Sequence, residues 1–140
     1  MTDMTFTTDT TTAVRPRSLL RTALMLDAVV TGANGLAYLV AAEPLGDLFG
    51  HSPAVLRGIG AFLVVFAALV ALTGARATIP TPAVRAIVAA NVLWAAGSVT
   101  AAIAGWGSPD TAGTVWTVLQ AVVVAAFAEL QLMGLRREAR

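Results

Sequence analysis

The sequence predicts an all-α membrane protein, a bundle of four transmembrane helices in up-down-up-down order with both termini in the cytoplasm. Three observations predict this fold. The composition is strongly apolar, with 57% hydrophobic residues, 12% charged residues and a mean hydropathy of +0.78. Four apolar stretches of membrane-spanning length follow one another along the chain. The arginine residues are concentrated on one side of the predicted bundle.

The composition excludes several classes of protein. Soluble domains carry about 25% charged residues, so a chain with 12% lacks the polar groups that a water-exposed surface needs. The net charge is +1, which gives no indication of a nucleic-acid partner. The chain has no Cys, which excludes thiolate metal sites and iron–sulfur clusters.

The predicted domain organisation is simple. We expect a disordered, Thr-rich cytoplasmic tail over residues 1–18, a four-helix transmembrane domain over 19–137 and a cytoplasmic tail over 138–140. A helix needs roughly 20 residues to cross a hydrocarbon core of about 30 Å, so each apolar stretch fits one crossing. No alternation of period two indicates barrel strands. The predicted spans are 20–42, 55–76, 83–105 and 112–135.

The distribution of arginine predicts the orientation. Eight of the nine basic residues lie in the N-terminal region, in the connection between the second and third spans, or at the C-terminus: Arg15, Arg17, Arg21, Arg76, Arg85, Arg136, Arg137 and Arg140. Only Arg57 lies on the opposite side. Since cytoplasmic loops of membrane proteins are enriched in Lys and Arg, both termini are expected in the cytoplasm. The expected location is the inner (cytoplasmic) membrane.

The connection over residues 43–53, between the first two spans, has an amphipathic pattern. Leu45, Leu48 and Phe49 recur at helical spacing, and Pro44 suits a first helical turn. We expect a short helical turn that lies in the headgroup layer with these apolar side chains in contact with lipid.

The polar residues within the apolar spans are the candidate site. Asp27, Thr31 and Asn34 fall at i, i+4 and i+7 in the first span, so they share one helix face. The other candidates in this intramembrane polar layer are Thr73 in the second span, Asn91 and Ser98 in the third, and Glu129 in the fourth. Gln120 and Gln131 are further polar residues of the fourth span. Charged residues within a membrane span usually face the interior of the bundle because exposure to hydrocarbon is costly.

The distance from the flanking arginine residues places several candidates at one depth. Asp27, Asn91 and Glu129 each lie six or seven residues from a cytoplasmic Arg, which corresponds to roughly 10 Å along a helix. A layer of this kind could bind a proton, a cation or a substrate. It could instead hold the helices together through hydrogen bonds, and Glu129 could simply extend its carboxylate to the headgroups.

Four short sequence patterns occur together in the apolar region. They are Arg21-x5-Asp27-x3-Thr31-Gly32, Leu45-x2-Leu48-Phe49-Gly50, Asn91-x-Leu93-Trp94 and Glu129-Leu130-Gln131-x2-Gly134-Leu135-Arg136-Arg137. With these patterns, residues 19–137 resemble small four-helix integral membrane proteins of actinobacteria, an uncharacterised family with no assigned function. The resemblance implies the four-helix fold and no activity.

The expected function is that of a structural or accessory membrane component that works through helix–helix packing. The chain has no phosphate-binding loop, no nucleophile elbow and no zinc-protease motif, so we expect no enzymatic activity, cofactor or metal. The expected partners are the lipid bilayer and either a second copy of the chain or another membrane protein, and any small-molecule ligand is unspecified. The alternative is a small transporter or proton-linked permease that uses Asp27 and Glu129, and the third candidate is a membrane enzyme without a recognisable motif.

Overall fold

The computed structural model describes residues 18–107 and 109–140, and within these residues it contains five helices and no strand. The predicted tail over residues 1–18 lies outside this part of the chain except for its last residue. The helices are α1 (Leu19–Val40), α2 (Ala42–Phe49), α3 (Pro53–Ala75), α4 (Thr81–Ala104) and α5 (Thr111–Glu138). Among them α1, α3, α4 and α5 are long and apolar enough to cross a membrane, as in a multi-pass helical membrane protein.

Side-chain caps fix the first residues of three of the long helices. The Ser18 hydroxyl accepts a hydrogen bond from the Arg21 amide, and Ser52 does the same for Val55 at the start of α3. The Asp110 carboxylate accepts from the Gly113 amide at 2.8 Å. These bonds satisfy amide groups that have no partner within the helix, so the helix boundaries are encoded locally.

Helices α1 and α3 pack closely because glycines face each other. A Cβ atom added to Gly35 would lie 2.9 Å from the Gly60 carbonyl oxygen, and one added to Gly60 would lie 2.7 Å from the Gly35 carbonyl oxygen. Gly32 lies against Ala67 in the same interface. Small residues allow two helix backbones to approach in lipid, where van der Waals contact drives association.

The four long helices are not equally in contact. Helix α1 packs against α3 and α5, and α5 packs against α4, whereas the contact between α3 and α4 is small. No Cα atom of α1 lies within 8 Å of a Cα atom of α4. The bundle therefore has a gap on the side of α3 and α4, and side chains must bridge α1 to α4.

Arg21 ties one end of α1 to the end of α3. Its guanidinium donates hydrogen bonds to the carbonyl oxygens of Gly74, of Arg76 at 2.9 Å and of Ala77 at 3.4 Å. The last carbonyl groups of a helix accept no hydrogen bond from within that helix, so the guanidinium supplies the missing donor. A cation at this position also interacts favourably with the helix dipole.

The short helix α2 covers the opposite end of the bundle. Leu45, Leu48 and Phe49 are the residues that the sequence predicts to contact lipid. Of these three, only Leu48 lies at the surface, with 54% of its area exposed, while Phe49 is buried. The Phe49 ring stacks on Trp116 of α5 with 5.5 Å between ring centroids, and its carbonyl oxygen accepts a hydrogen bond from the Asp110 amide. The local pattern could not indicate this contact because it comes from a distant helix.

The close contact between α1 and α3 leads us to predict different effects of substitution at two glycines of α3. Gly60→Ala should destabilise the protein by about 1–3 kcal/mol because the new methyl group overpacks the interface. Gly58→Ala should leave stability unchanged or slightly increased, because open space surrounds Gly58 and Ala favours helix. Unfolding of both variants in detergent measures this difference. Equal stability of the two variants would contradict the close contact.

Candidate intramembrane polar site

The centre of the polar site is the carboxyl group of Asp27, whose side chain is fully buried. The Thr31 hydroxyl donates a hydrogen bond to Asp27 Oδ1 at 2.9 Å. The Asn91 amide nitrogen donates to Asp27 Oδ2 at 2.8 Å, and the Gln131 amide nitrogen donates to the same oxygen at 2.7 Å. Both carboxyl oxygens therefore have partners.

These four residues form what we call the Asp27 network, which joins three helices. Asp27 and Thr31 are one turn apart on α1, Asn91 lies on α4 and Gln131 lies on α5. Asn91 also donates a weaker hydrogen bond to the side-chain oxygen of Gln131, Oε1, at 3.4 Å. Since the backbones of α1 and α4 do not meet, the Asn91–Asp27 hydrogen bond is a direct link between them.

The surroundings of the carboxyl group are polar but contain no basic side chain that bonds to it within the described residues. Its donors are one hydroxyl and two amides. A charged side chain at the centre of a bilayer costs about 2.5–3.5 kcal/mol on the insertion scale, and hydrogen bonds to the buried group offset part of that cost. No buried side-chain nitrogen or oxygen in residues 18–107 and 109–140 lacks a partner, so the network is internally satisfied.

The structure brings together only part of the predicted polar layer. Asp27, Thr31 and Asn91 meet in the network, whereas Glu129 is exposed. The Thr73 hydroxyl donates to the Leu69 carbonyl oxygen of its own helix. Asn34 and Ser98 are half-buried and line two different cavities.

Gln131, and not Glu129, is the residue of α5 that joins the polar layer. The two residues are at similar depth but two positions apart, so their side chains point about 200° apart around the helix. The buried face of α5 contains mainly small residues, Ala121, Ala128 and Gly134, together with Gln131. Small residues also precede Glu129, at Ala125 and Ala126, and these are exposed, so the spacing of small residues alone does not identify Gln131.

A second polar cluster lies further along α1 and α5. The Tyr38 hydroxyl oxygen accepts hydrogen bonds from Trp116 Nε1 at 2.8 Å and from Gln120 Nε2 at 2.6 Å. Tyr38 is itself buried, with 5% of its area exposed. The cluster is a second polar attachment of α1 to α5, beside the apolar group formed by Phe49, Leu56 and Leu63.

A cavity of about 310 Å³ lies between the Asp27 network and the Tyr38 cluster. All four long helices contribute to its lining. Thr31 and Asn91 of the Asp27 network border it, and so do Trp116 and Gln120 of the Tyr38 cluster. Thr31 and Asn91 therefore lie between the buried Asp27 carboxyl group and the cavity.

The groups that the polar site presents are one carboxyl group, one hydroxyl group and two amides, which can form hydrogen bonds. The residues that the structure describes contain no group of three or more His, Cys, Asp or Glu side chains that could hold a metal ion. Comparisons of the chain with protein-family models, with curated proteins and with solved structures found no match. Function must therefore be argued from the polar site itself.

Proposed function

We propose that this protein is a non-enzymatic structural or accessory component of the inner (cytoplasmic) membrane that works through helix–helix packing with a second copy or another membrane protein. The observation that carries the proposal is the complete satisfaction of Asp27 by donors from three helices. A carboxyl group in this setting fixes the relative positions of the helices.

The burial of Asp27 favours this structural role over a chemical one. A carboxyl group that transfers protons must reach a substrate or water, yet none of the Asp27 side chain is exposed. Its two oxygens are already occupied by hydroxyl and amide donors. Hydrogen bonds between polar side chains are an established way to associate helices in a membrane.

The apolar exterior is consistent with a lipid environment and with helix contacts to a partner. Large apolar side chains are exposed on every long helix, among them Val29, Leu69, Leu93 and Val122. Exposed apolar area of this extent marks a surface that contacts lipid or protein.

We further propose that the bundle has up-down-up-down order with both termini in the cytoplasm. The contact of Arg21 with the end of α3 supports opposite directions for α1 and α3. Arg76, Arg85, Arg136 and Arg137 then lie on the same side as Arg21, in agreement with the excess of basic residues in cytoplasmic segments.

A small transporter or proton-linked permease is the second candidate, and one observation favours it. Thr31 and Asn91 contact both the Asp27 carboxyl group and the cavity, so a ligand in the cavity could disturb the network. Glu129 is exposed and does not join Asp27, so this candidate depends on Asp27 alone.

The proposed topology predicts the activity of reporter fusions. A reporter that is active only outside the cytoplasm should be active when fused after Ser52 or Asp110, since both connections then face outward. It should be silent after Thr78 or Arg140. Activity of the Arg140 fusion would mean either an odd number of crossings or an inverted bundle, and each of these would contradict the topology.

The proposed function predicts that Asp27→Asn preserves both fold and assembly, because an amide can still accept hydrogen bonds from Asn91 and Gln131, and the Thr31 hydroxyl can reverse its role. The variant and the native protein are purified in mild detergent, and the mass and stoichiometry of each complex are measured. The same partner or oligomer at the same ratio is expected for both.

The transporter candidate predicts a different result for the same variant. Addition of a transported ligand to the native protein would release or take up protons, and a folded Asp27→Asn variant would not do so, because an amide does not titrate in this range. The accessory function would be contradicted if the native protein is a monomer without a partner and the Asp27→Asn variant loses the ligand-dependent release or uptake of protons.

A further inference from the structure

The cavity between the Asp27 network and the Tyr38 cluster has the size and chemistry of a ligand site. Its volume is about 310 Å³, which falls at the lower end of the range of about 300–1,000 Å³ for small-molecule pockets. A cavity of about 150 Å³ with an apolar lining already binds benzene. The space is therefore sufficient for a molecule with one or two rings.

The lining of the cavity is uncharged and rich in aromatic side chains. It contains no Asp, Glu, Lys, Arg or His, and its aromatic members include Phe62, Phe66, Trp94 and Phe127. An uncharged lining inside a membrane disfavours an ion, because no side chain of opposite charge compensates the lost hydration. Aromatic faces favour stacking with a flat ring.

Asn34 gives the cavity an open hydrogen-bonding group. Its side chain borders the cavity and is half-buried, and within residues 18–107 and 109–140 it bonds to no other group. It lies seven residues beyond Asp27, about 10 Å along α1, and so within the apolar span. Lipid tails offer no partner to an amide at this depth, so a polar molecule in the cavity can supply one.

The gap between α3 and α4 is a route into the cavity from the bilayer. These two helices touch little, and the contact across the gap includes the rings of Phe62 and Trp94, which stack with 5.6 Å between centroids. Both rings also line the cavity, and 53% of Phe62 is exposed. The cavity is partly open rather than enclosed, so a ligand can enter without movement of a helix.

We propose that this cavity binds a neutral, membrane-soluble small molecule that has a flat ring and a hydroxyl or carbonyl group. The ring lies among the aromatic side chains, and the polar group of the ligand forms a hydrogen bond with Asn34. The site borders Thr31 and Asn91 of the Asp27 network but does not include the Asp27 carboxyl group, and it does not depend on the proposed accessory function.

Photolabelling of the purified protein in lipid bicelles tests the proposal. The probes are a trifluoromethyl phenyl diazirine, which has no hydroxyl group, and its para-hydroxymethyl derivative. The hydroxymethyl probe should label the cavity residues Phe62, Trp94 and Val124 in a saturable manner. An excess of para-methylbenzyl alcohol, which keeps the ring and the hydroxymethyl group of the probe but has no photoreactive group, should prevent the labelling. Peptide mass spectrometry locates the labelled residues.

Two matched pairs of variants separate a specific site from a general effect. Ala90→Phe fills the cavity and should remove most of the labelling, whereas Val92→Phe, on the same helix and outside the cavity lining, should not. Asn34→Leu should weaken binding of the hydroxymethyl probe by about fivefold, the effect of one lost hydrogen bond. Labelling by the probe without a hydroxyl group should be unchanged in Asn34→Leu, which controls for misfolding.

Three results would overturn the proposal. Labelling that does not saturate would mean that lipid tails fill the space. Equal labelling of Ala90→Phe and Val92→Phe would mean that the probe binds at the lipid-facing surface. Efficient crosslinking of two chains through a Cys placed at Phe62 would mean that a second copy occupies the gap between α3 and α4.

Discussion

The structure depends on one buried carboxyl group. Asp27 cannot remain unpaired inside an apolar bundle, because an unsatisfied polar group costs several kcal/mol in hydrocarbon. Its hydrogen bonds with Asn91 and Gln131 require α4 and α5 to lie at fixed rotation and depth beside α1. The requirement is strict because a helix rotated by one residue turns its side chain by about 100°. A single carboxyl group thus selects one arrangement among many apolar packings of similar energy.

Both close packing and side-chain hydrogen bonds hold the helices together. Glycines bring α1 and α3 into backbone contact, where van der Waals attraction is sufficient. The backbones of α1 and α4 are too far apart for such contact, and the two helices are joined by the hydrogen bond between Asp27 and Asn91 and by a shared apolar core that includes Leu24 and Val84. Where α3 and α4 make little contact, a partly open cavity lies between the helices. The bundle is therefore closely packed between α1 and α3 and has accessible space near α3 and α4.

The sequence predicted the helical membrane fold well because the bilayer imposes length and apolarity on each span. It also indicated the shared face of Asp27 and Thr31, and the common depth of Asp27 and Asn91, since both follow from helix geometry. Depth alone could not distinguish Glu129 from Gln131, because the choice depends on which face of α5 meets α1. The burial of Phe49 was not predictable for the same reason: its partner, Trp116, lies on a helix that the local pattern does not include. Contacts between distant segments are what the pattern of a single sequence lacks.

The coupling free energy between Asp27 and Gln131 tests whether the hydrogen bonds of Asp27 hold the helices together. It is obtained from the unfolding of Asp27→Leu, Gln131→Leu and the double variant in bicelles. Each single substitution removes the hydrogen bond between Gln131 and Asp27, and Asp27→Leu also takes the shared acceptor from Asn91, so we expect each to cost about 1–3 kcal/mol. We predict that the double variant loses less than the sum of the two by about 0.5–3 kcal/mol. The cycle of Asp27→Leu with Glu129→Leu is the control and should be additive within about 0.5 kcal/mol. Additive effects of Asp27→Leu and Gln131→Leu would contradict the network.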